Sequence, residues 1–201
     1  MLQYTSHPLV DVGVATILAF VGKNDPATLT EADLDRVANY IADQYTRQPL
    51  KSFLTAAFTS NAWFNQDAYN PDKPGLSEEE RQARRDKRDH WSARHLRQWR
   101  ADASVEHVVT EIDPFSGEPA AGVELSGRLQ PGRAARAQIP MTFGDEYINF
   151  FSYGDAGIPI SGKSLLCLQA FPLGCAKSRG RLLAVHSDNP DLTLHFAKSF
   201  L

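Results

Sequence analysis

Apolar residues in the first third of the chain recur at helical spacing. After His7-Pro8, positions Val10, Val14, Ile17, Leu18 and Val21 share one helical face, and Gly22 suits the end of that helix. A second helix is predicted from Thr30, which can cap it together with Asp33, through the stripe Leu34, Val37, Ala38, Ile41 and Tyr45. Pro49 opens a third, through Phe53, Leu54, Ala57 and Phe58. The polar, aromatic stretch TSNAWFNQDAYNPDKPG (59–75) then reads as a loop closed by two prolines. Ser77 with Glu80 makes a capping box for a long helix to about Arg100, acidic in its first turn and basic beyond, as the helix dipole favours. Trp91, Leu96 and Trp99 are almost its whole apolar content, so this helix is expected to protrude or to lie against something charged.

Beyond residue 105 the pattern changes to short strands and many turns. VEHVVTEI (105–112), YINFFSY (147–153), RLLAVHS (181–187) and LTLHFA (192–197) read as strands, and SLLCLQAF (164–171) as a buried helix or strand. Residues Asp113 to Pro140, rich in Gly, Pro and Arg, read as a long irregular insertion. The predicted fold class is α+β: a helical part (1–104) carrying the aromatic loop and the basic helix, then a strand-rich part (105–201) carrying the insertion. No internal repeat is visible.

Composition narrows the class. With 201 residues, 42% hydrophobic and 22% charged, the chain has the make-up of an ordinary globular protein able to bury a core. The longest apolar run, LVDVGVATILAFVG, is broken by Asp11 and is too short to cross a bilayer, and the chain start lacks a basic secretory region. A cytoplasmic location without membrane contact is therefore expected. Cys167 and Cys175 are too few for a disulfide framework or a four-thiolate zinc site and read as reduced core residues.

The net charge of −3 conceals an uneven distribution. Residues 1–72 hold four Lys or Arg against eight Asp or Glu, whereas residues 81–100 hold eight basic against two acidic. From Ala156 to Ser187 the chain carries Lys163, Lys177, Arg179 and Arg181 with no carboxylate. Separated basic patches on an otherwise acidic chain point to a polyanionic partner at specific faces.

One motif suggests nucleotide chemistry. GIPISGKS (157–164) fits the phosphate-loop pattern G-x-x-x-x-G-K-[ST], with Lys163 at the phosphate-gripping position. Against it stand the bulky Ile160 inside the loop, the polar turn Gly154-Asp155 before it, and only 37 residues after Ser164 to supply further βα units. The six histidines show no metal spacing, no G-x-S-x-G elbow occurs, and the carboxylates form no recognisable metal cluster. The sequence thus gives no catalytic residue, cofactor or metal ligand.

HPLVDVGVATILAFVGK, LTEADLDRVANYIADQY and FTSNAWFNQ together resemble the N-terminal region of large subunits of type I CRISPR–Cas surveillance complexes (Cascade), particularly types I-B and I-A. DPFSGEPA resembles a knuckle of those proteins that often reads C-x-x-[TS]-G, and INFFSYGDAGIPISGKSLLCLQAFPLG followed by RLLAVHSD is similar to a succeeding strand, helix and strand. Asp113 stands where a zinc-binding knuckle would begin with cysteine, so the resemblance implies no zinc here. Family members are commonly longer, with a C-terminal helical bundle that would be missing or supplied by a separate subunit.

The resemblance implies a non-catalytic protein that recognises the flanking motif (PAM) of target double-stranded DNA. It would contact the 5′ handle of the guide RNA and aid R-loop initiation beside the backbone, handle-binding and small subunits, in target defence or in a transposon-associated system. Motif readout would fall to Asn61, Asn65, Gln66 and Asn70, gathered in one loop with Trp63, Phe64 and Tyr69. Phosphate contacts would fall to Lys163, Lys177, Arg179, Arg181, Arg133 and Arg136. Two alternatives stand beside this reading: a generic nucleic-acid-binding or adaptor module using the 78–100 helix, and a nucleotide-binding enzyme using Lys163.

Overall fold

The computed structural model describes residues 2–141 and 155–201, so the predicted strand YINFFSY lies outside the described residues. Helix α1 (Pro8–Val21) begins with proline at its first position and ends at Gly22, whose φ of 74° is the left-handed conformation that glycine adopts without steric cost. Every residue from Val10 to Leu18 is buried, so α1 is a central helix rather than a half-exposed one. Its interior polar group, Asp11, is satisfied by the Thr5 amide at 2.6 Å and by the His186 Nε2 at 3.1 Å.

Helix α2 (Glu31–Gln44) carries the predicted Thr30–Asp33 capping box and buries Leu34, Val37, Ala38, Ile41 and Ala42. Helix α3 (Leu50–Leu54) is shorter than the pattern suggested and gives way to turns before Phe58. Helix α4 (Glu78–Leu96) has the predicted Ser77–Glu80 capping box, and it stops four residues early, where the Trp99 indole donates to the Leu96 carbonyl at 2.8 Å.

The whole is α+β as expected, and the strands of the second part are shorter than predicted. Strands β1 (Arg133–Ala134) and β2 (Ile158–Pro159) pair antiparallel, as do β3 (Ala176–Ser178) and β4 (Arg181–Leu183). SLLCLQAF falls in helix α5 (Gly162–Ala170), capped by Ser161. LTLHFA, read as a strand, lies in helix α6 (Pro190–Phe200): Asn189 caps it, Pro190 pre-sets its first turn, and Thr193, Leu194 and Ala197 are buried at helical spacing. VEHVVTEI forms no strand; its amides at Glu106 and His107 both donate to the Gly122 carbonyl, and Ile112 makes one isolated bridge to Pro119. RLLAVHS is a strand only through Leu183.

α1 packs against α5 and α6, and α2 and α4 close over α5. A Cβ on Gly13 would strike the Cys167 carbonyl, so glycine sets how closely α1 approaches α5. The Tyr45 hydroxyl reaches from the end of α2 to donate to the Gln169 carbonyl of α5 at 2.5 Å. One apolar cluster joins residues of both predicted parts, from Val10 and Tyr45 to Leu165 and Leu194. Trp63 and Phe64 lie in it, 2% and 0% exposed, and they anchor the aromatic loop.

Candidate nucleic-acid interface

GIPISGKS does not build a phosphate loop. Its strand residues Ile158 and Pro159 pair antiparallel with β1, where a phosphate loop follows a buried parallel strand. The start of α5 is already occupied. A Cβ on Gly162 would overlap the Gln98 carbonyl and the Trp99 amide nitrogen, so that backbone is pressed onto the helix end. The Ser161 amide donates to the buried carboxylate of Asp113 at 3.1 Å, and the Ser161 hydroxyl accepts from the Ser164 amide at 3.2 Å. Lys163 turns to Glu118, 2.6 Å away. The chain's own carboxylate thus takes the place an anion would use.

The same Asp113 organises the knuckle DPFSGEPA. Its carboxylate accepts from the Phe115 amide at 2.8 Å and the Ser116 hydroxyl at 2.8 Å, while its carbonyl accepts from Gly117, whose φ is 72°. An aspartate-centred turn therefore closes the knuckle. Among the described residues no group of three or more His, Cys, Asp or Glu is placed to hold a metal ion. Cys167 and Cys175 are both buried free thiols, and burial pushes Cys167 well above and Cys175 up to about 12 from the usual thiol value.

The uneven charge along the sequence resolves mainly inside the molecule. Arg97 and Arg100 both reach Asp35 of α2, at 3.4 and 2.7 Å, and Arg88 reaches Asp43 at 3.1 Å. Arg81 donates to the Pro71 carbonyl, Arg84 to those of Asp67 and Asn70, Arg85 pairs with Glu78, and Arg94 pairs with Glu106. α4 does lie against something charged: the acidic face of α2 and the loop before it. The basic run therefore offers an outside partner far less charge than its composition suggests. Lys87, exposed and 5.2 Å over the Tyr69 ring, pairs with no carboxylate among the described residues.

Between the aromatic loop, α4 and residues 124–138 runs a groove of about 430 Å³, lined by Asn61, Trp63, Gln66, Tyr69, Lys87 and Gln138 among others. It continues past Asn61, Ser126 and Gln138 into a second depression of about 440 Å³ bordered by Arg136. Its floor is a stack: Trp63 on Trp91 at 4.2 Å and Trp91 on His95 at 4.4 Å. Both ring nitrogens of His95 face carbonyls at 3.0 Å, those of Trp91 and Leu125. Complete burial outweighs those two contacts and pushes the His95 pKa down to about 4.

The four predicted amides divide. Asn61 and Gln66 line the groove, with Gln66 held by a 3.1 Å bond to the Asn61 carbonyl. Asn65 and Asn70 brace turns, donating to the Thr59 carbonyl and accepting from the Asp72 amide.

The six predicted phosphate contacts divide too. Arg133 is 1% exposed; it pairs with Glu111 through two nitrogens and donates to the carbonyls of Asp155, Ala156 and Gly157, so it is not available at the surface. Lys163 is engaged with Glu118 at the blocked end of α5. Arg136 is exposed at the groove. Lys177, Arg179 and Arg181 are exposed on the β3–β4 hairpin, whose two-residue tip has Arg179 at φ 50° and Gly180 at φ 78°. Register puts Lys177 opposite Leu182, and these face the body: Leu182 packs beside Val12 and Phe171, and Lys177 lies 5.9 Å from the Phe53 ring centre. Arg181 lies on the other face with the half-exposed Leu183.

Sequence reasoning missed Lys87 and Gln138 as members of the site that Asn61, Gln66 and Tyr69 share. Lys87 is one of eight basic residues in its stretch, and only the positions of Asp35, Asp43, Glu78 and Glu106 show that five of the other seven are paired. Comparison of the chain with protein-family models, curated proteins and solved structures finds no match.

Proposed function

We propose that this chain is the recognition region of a type I Cascade large subunit, a non-catalytic protein that inspects target DNA beside the guide RNA in an assembly with the other Cascade subunits. The observation that carries this reading is the groove in which Asn61 and Gln66 sit between exposed cations, Lys87 on one side and Arg136 on the other. Amides able to bond base edges, flanked by phosphate-binding charge, are what sequence inspection on a polyanion requires. The β3–β4 hairpin adds Lys177, Arg179 and Arg181 on an element without carboxylates. The blocked start of α5 removes support from the nucleotide-enzyme alternative, and the internal pairing of α4 removes it from an adaptor built on that helix.

The test is co-expression with a type I gene set and guide RNA, purification of the assembly, and duplex binding with a randomised flanking motif. The chain is expected to co-purify and to confer a flanking preference. Asn61→Ala or Gln66→Ala should weaken binding unevenly across flanking sequences, by about 1–3 kcal/mol for the preferred motif. Equal losses on every flanking sequence would sink the readout role of the groove, and purification of the chain alone would sink the assembly.

A further inference from the structure

The groove is concave, and that shape limits what its amides can read. Reading a base pair in the major groove requires an element that protrudes into a channel about 12 Å wide. Asn61 and Gln66 instead line a depression walled by α4 on one side and residues 124–138 on the other. Such walls favour a base that has left its stack over one still paired in a duplex. A single base turned out of its stack can enter, because its Watson–Crick edge leads and its phosphate stays outside.

Hydrogen-bonding groups inside the groove are left over. Trp63 is 2% exposed, and its indole N–H is buried with no acceptor among the described residues. Such an orphan donor is uncommon, since leaving a buried donor unmade costs more than a typical bond contributes. The Asn61 side chain has no intramolecular partner among the described residues, Gln66 uses only its amide nitrogen, and Gln138 uses only its side-chain oxygen, accepting from the Ala135 amide at 3.1 Å. The groove therefore offers three amides with unused donors or acceptors, and the unpartnered Trp63 N–H in the floor beneath them is a reporter of what binds there. Tyr69 and the exposed His90 give flat surfaces at the rim, and Lys87 stands beside them. The volume of about 430 Å³ is in the range that takes a ligand of nucleotide size, about 300–1,000 Å³.

We infer that this groove is a receptor for one unpaired nucleobase of a single-stranded segment, with Asn61, Gln66 and Gln138 meeting its edge, the Trp63 ring in the floor beneath it, and Lys87 meeting its phosphate. The inference rests on the nucleic-acid reading given above and deepens it: the amide loop reads an extruded base rather than a base pair. A mixed donor and acceptor set favours a base over an aliphatic or purely anionic ligand, neither of which could use the donors and acceptors of three amides together.

The full chain labelled with ¹⁵N gives the test, because its three tryptophans contribute three indole N–H signals. Trp63→Phe identifies the Trp63 signal while keeping an aromatic ring in the stack. The probes are the four deoxynucleoside 5′-monophosphates, a short single-stranded oligodeoxynucleotide, an abasic sugar–phosphate strand of the same length that carries no bases, and the duplex of the oligonucleotide. The Trp63 signal should move with at least one monophosphate and with the single strand, and stay in place with the abasic strand and the duplex. Gln66→Ala should weaken that response about fivefold, as loss of one hydrogen bond predicts, whereas Lys198→Ala on α6 should leave it unchanged. A Trp63 signal unmoved by every probe would overturn the inference. A response as large with the abasic strand would also overturn it, reducing the site to an anion contact. Loss of flanking preference in the purified assembly with the indole response intact would instead remove the large-subunit reading and leave the base receptor standing.

Discussion

Two arginines three positions apart show how far residue type alone is from role. Arg133 and Arg136 sit in one Gly- and Arg-rich stretch, yet Arg133 is enclosed with Glu111 and three carbonyls while Arg136 is exposed beside the groove. Arg133→Ala would leave Glu111 and those carbonyls without their donor, a loss of about 3–5 kcal/mol, and the melting temperature should fall by roughly 6–20 °C. Arg136→Ala should change stability by less than about 0.5 kcal/mol and reveal itself only in nucleic-acid affinity. Thermal melts of the two variants side by side check both, and equal shifts would show the assignment to be wrong. His95 adds a pH dependence. Its pKa of about 4 in the folded state lies below the ordinary histidine value near 6.5, so the unfolded chain binds more protons in between. Stability is complete above pH 6.5 and is lost as pH falls toward 4, by up to about 3 kcal/mol from this residue. While neutral, the ring can donate to only one of its two facing carbonyls, so His95→Gln keeps a donor and removes the titration. The variant should show a shallower fall in unfolding free energy between pH 7 and 5 than the parent; parallel curves would mean that His95 does not titrate in that window.

At the scale of elements, local chemistry marked the helices better than the strands. Both capping boxes, the Gly22 stop and the Pro8 start act through residues within four positions of one another, and each is visible in a single stretch of sequence. Strands need a distant partner. VEHVVTEI has the β-branched content of a strand and makes a single isolated bridge, Ile112 to Pro119, among the described residues, and LTLHFA alternates like a strand while Asn189 and Pro190 cap and start a helix. The candidate site divides in the same way. Asn61 and Gln66 could be found because they share one loop, whereas Gln138 joins them only through folding of the insertion. α4 was legible as a basic helix, but the partners that neutralise it lie on α2, more than forty positions back. The α1–α5 contact was not legible at all, since nothing in the sequence says that Gly13 meets the Cys167 carbonyl. Gly13→Ala should force that crossing apart and cost about 2–3 kcal/mol in denaturant unfolding, despite the better helix propensity of alanine. An unchanged or raised midpoint would show that the two helices do not meet as closely as described.

Across the whole molecule, the question is which of its 21 Lys and Arg can still act on an outside polyanion. A cation already paired with a carboxylate, as Arg97 and Arg100 are with Asp35, brings little net charge to DNA and displaces few counterions. Cations on a segment without acids do so freely, and Lys177, Arg179 and Arg181 are concentrated on one short hairpin. Binding of the assembled complex to target duplex should therefore depend on salt mainly through the hairpin. Replacing Lys177, Arg179 and Arg181 together by alanine should make the slope of log affinity against log salt shallower by about 2–3, close to 0.9 for each phosphate contact removed, and should do so alike on all flanking motifs. Arg97→Ala should leave that slope nearly unchanged and instead lower stability, because its contacts are to Asp35 and Asn39. Titrations at four salt concentrations with the parent and both variants decide the point. If the hairpin variant keeps the parent slope, the charge reaches the nucleic acid at the groove, through Lys87 and Arg136; if Arg97→Ala flattens the slope equally, it does so through the paired arginines, whose contacts with α2 must then open when the complex forms.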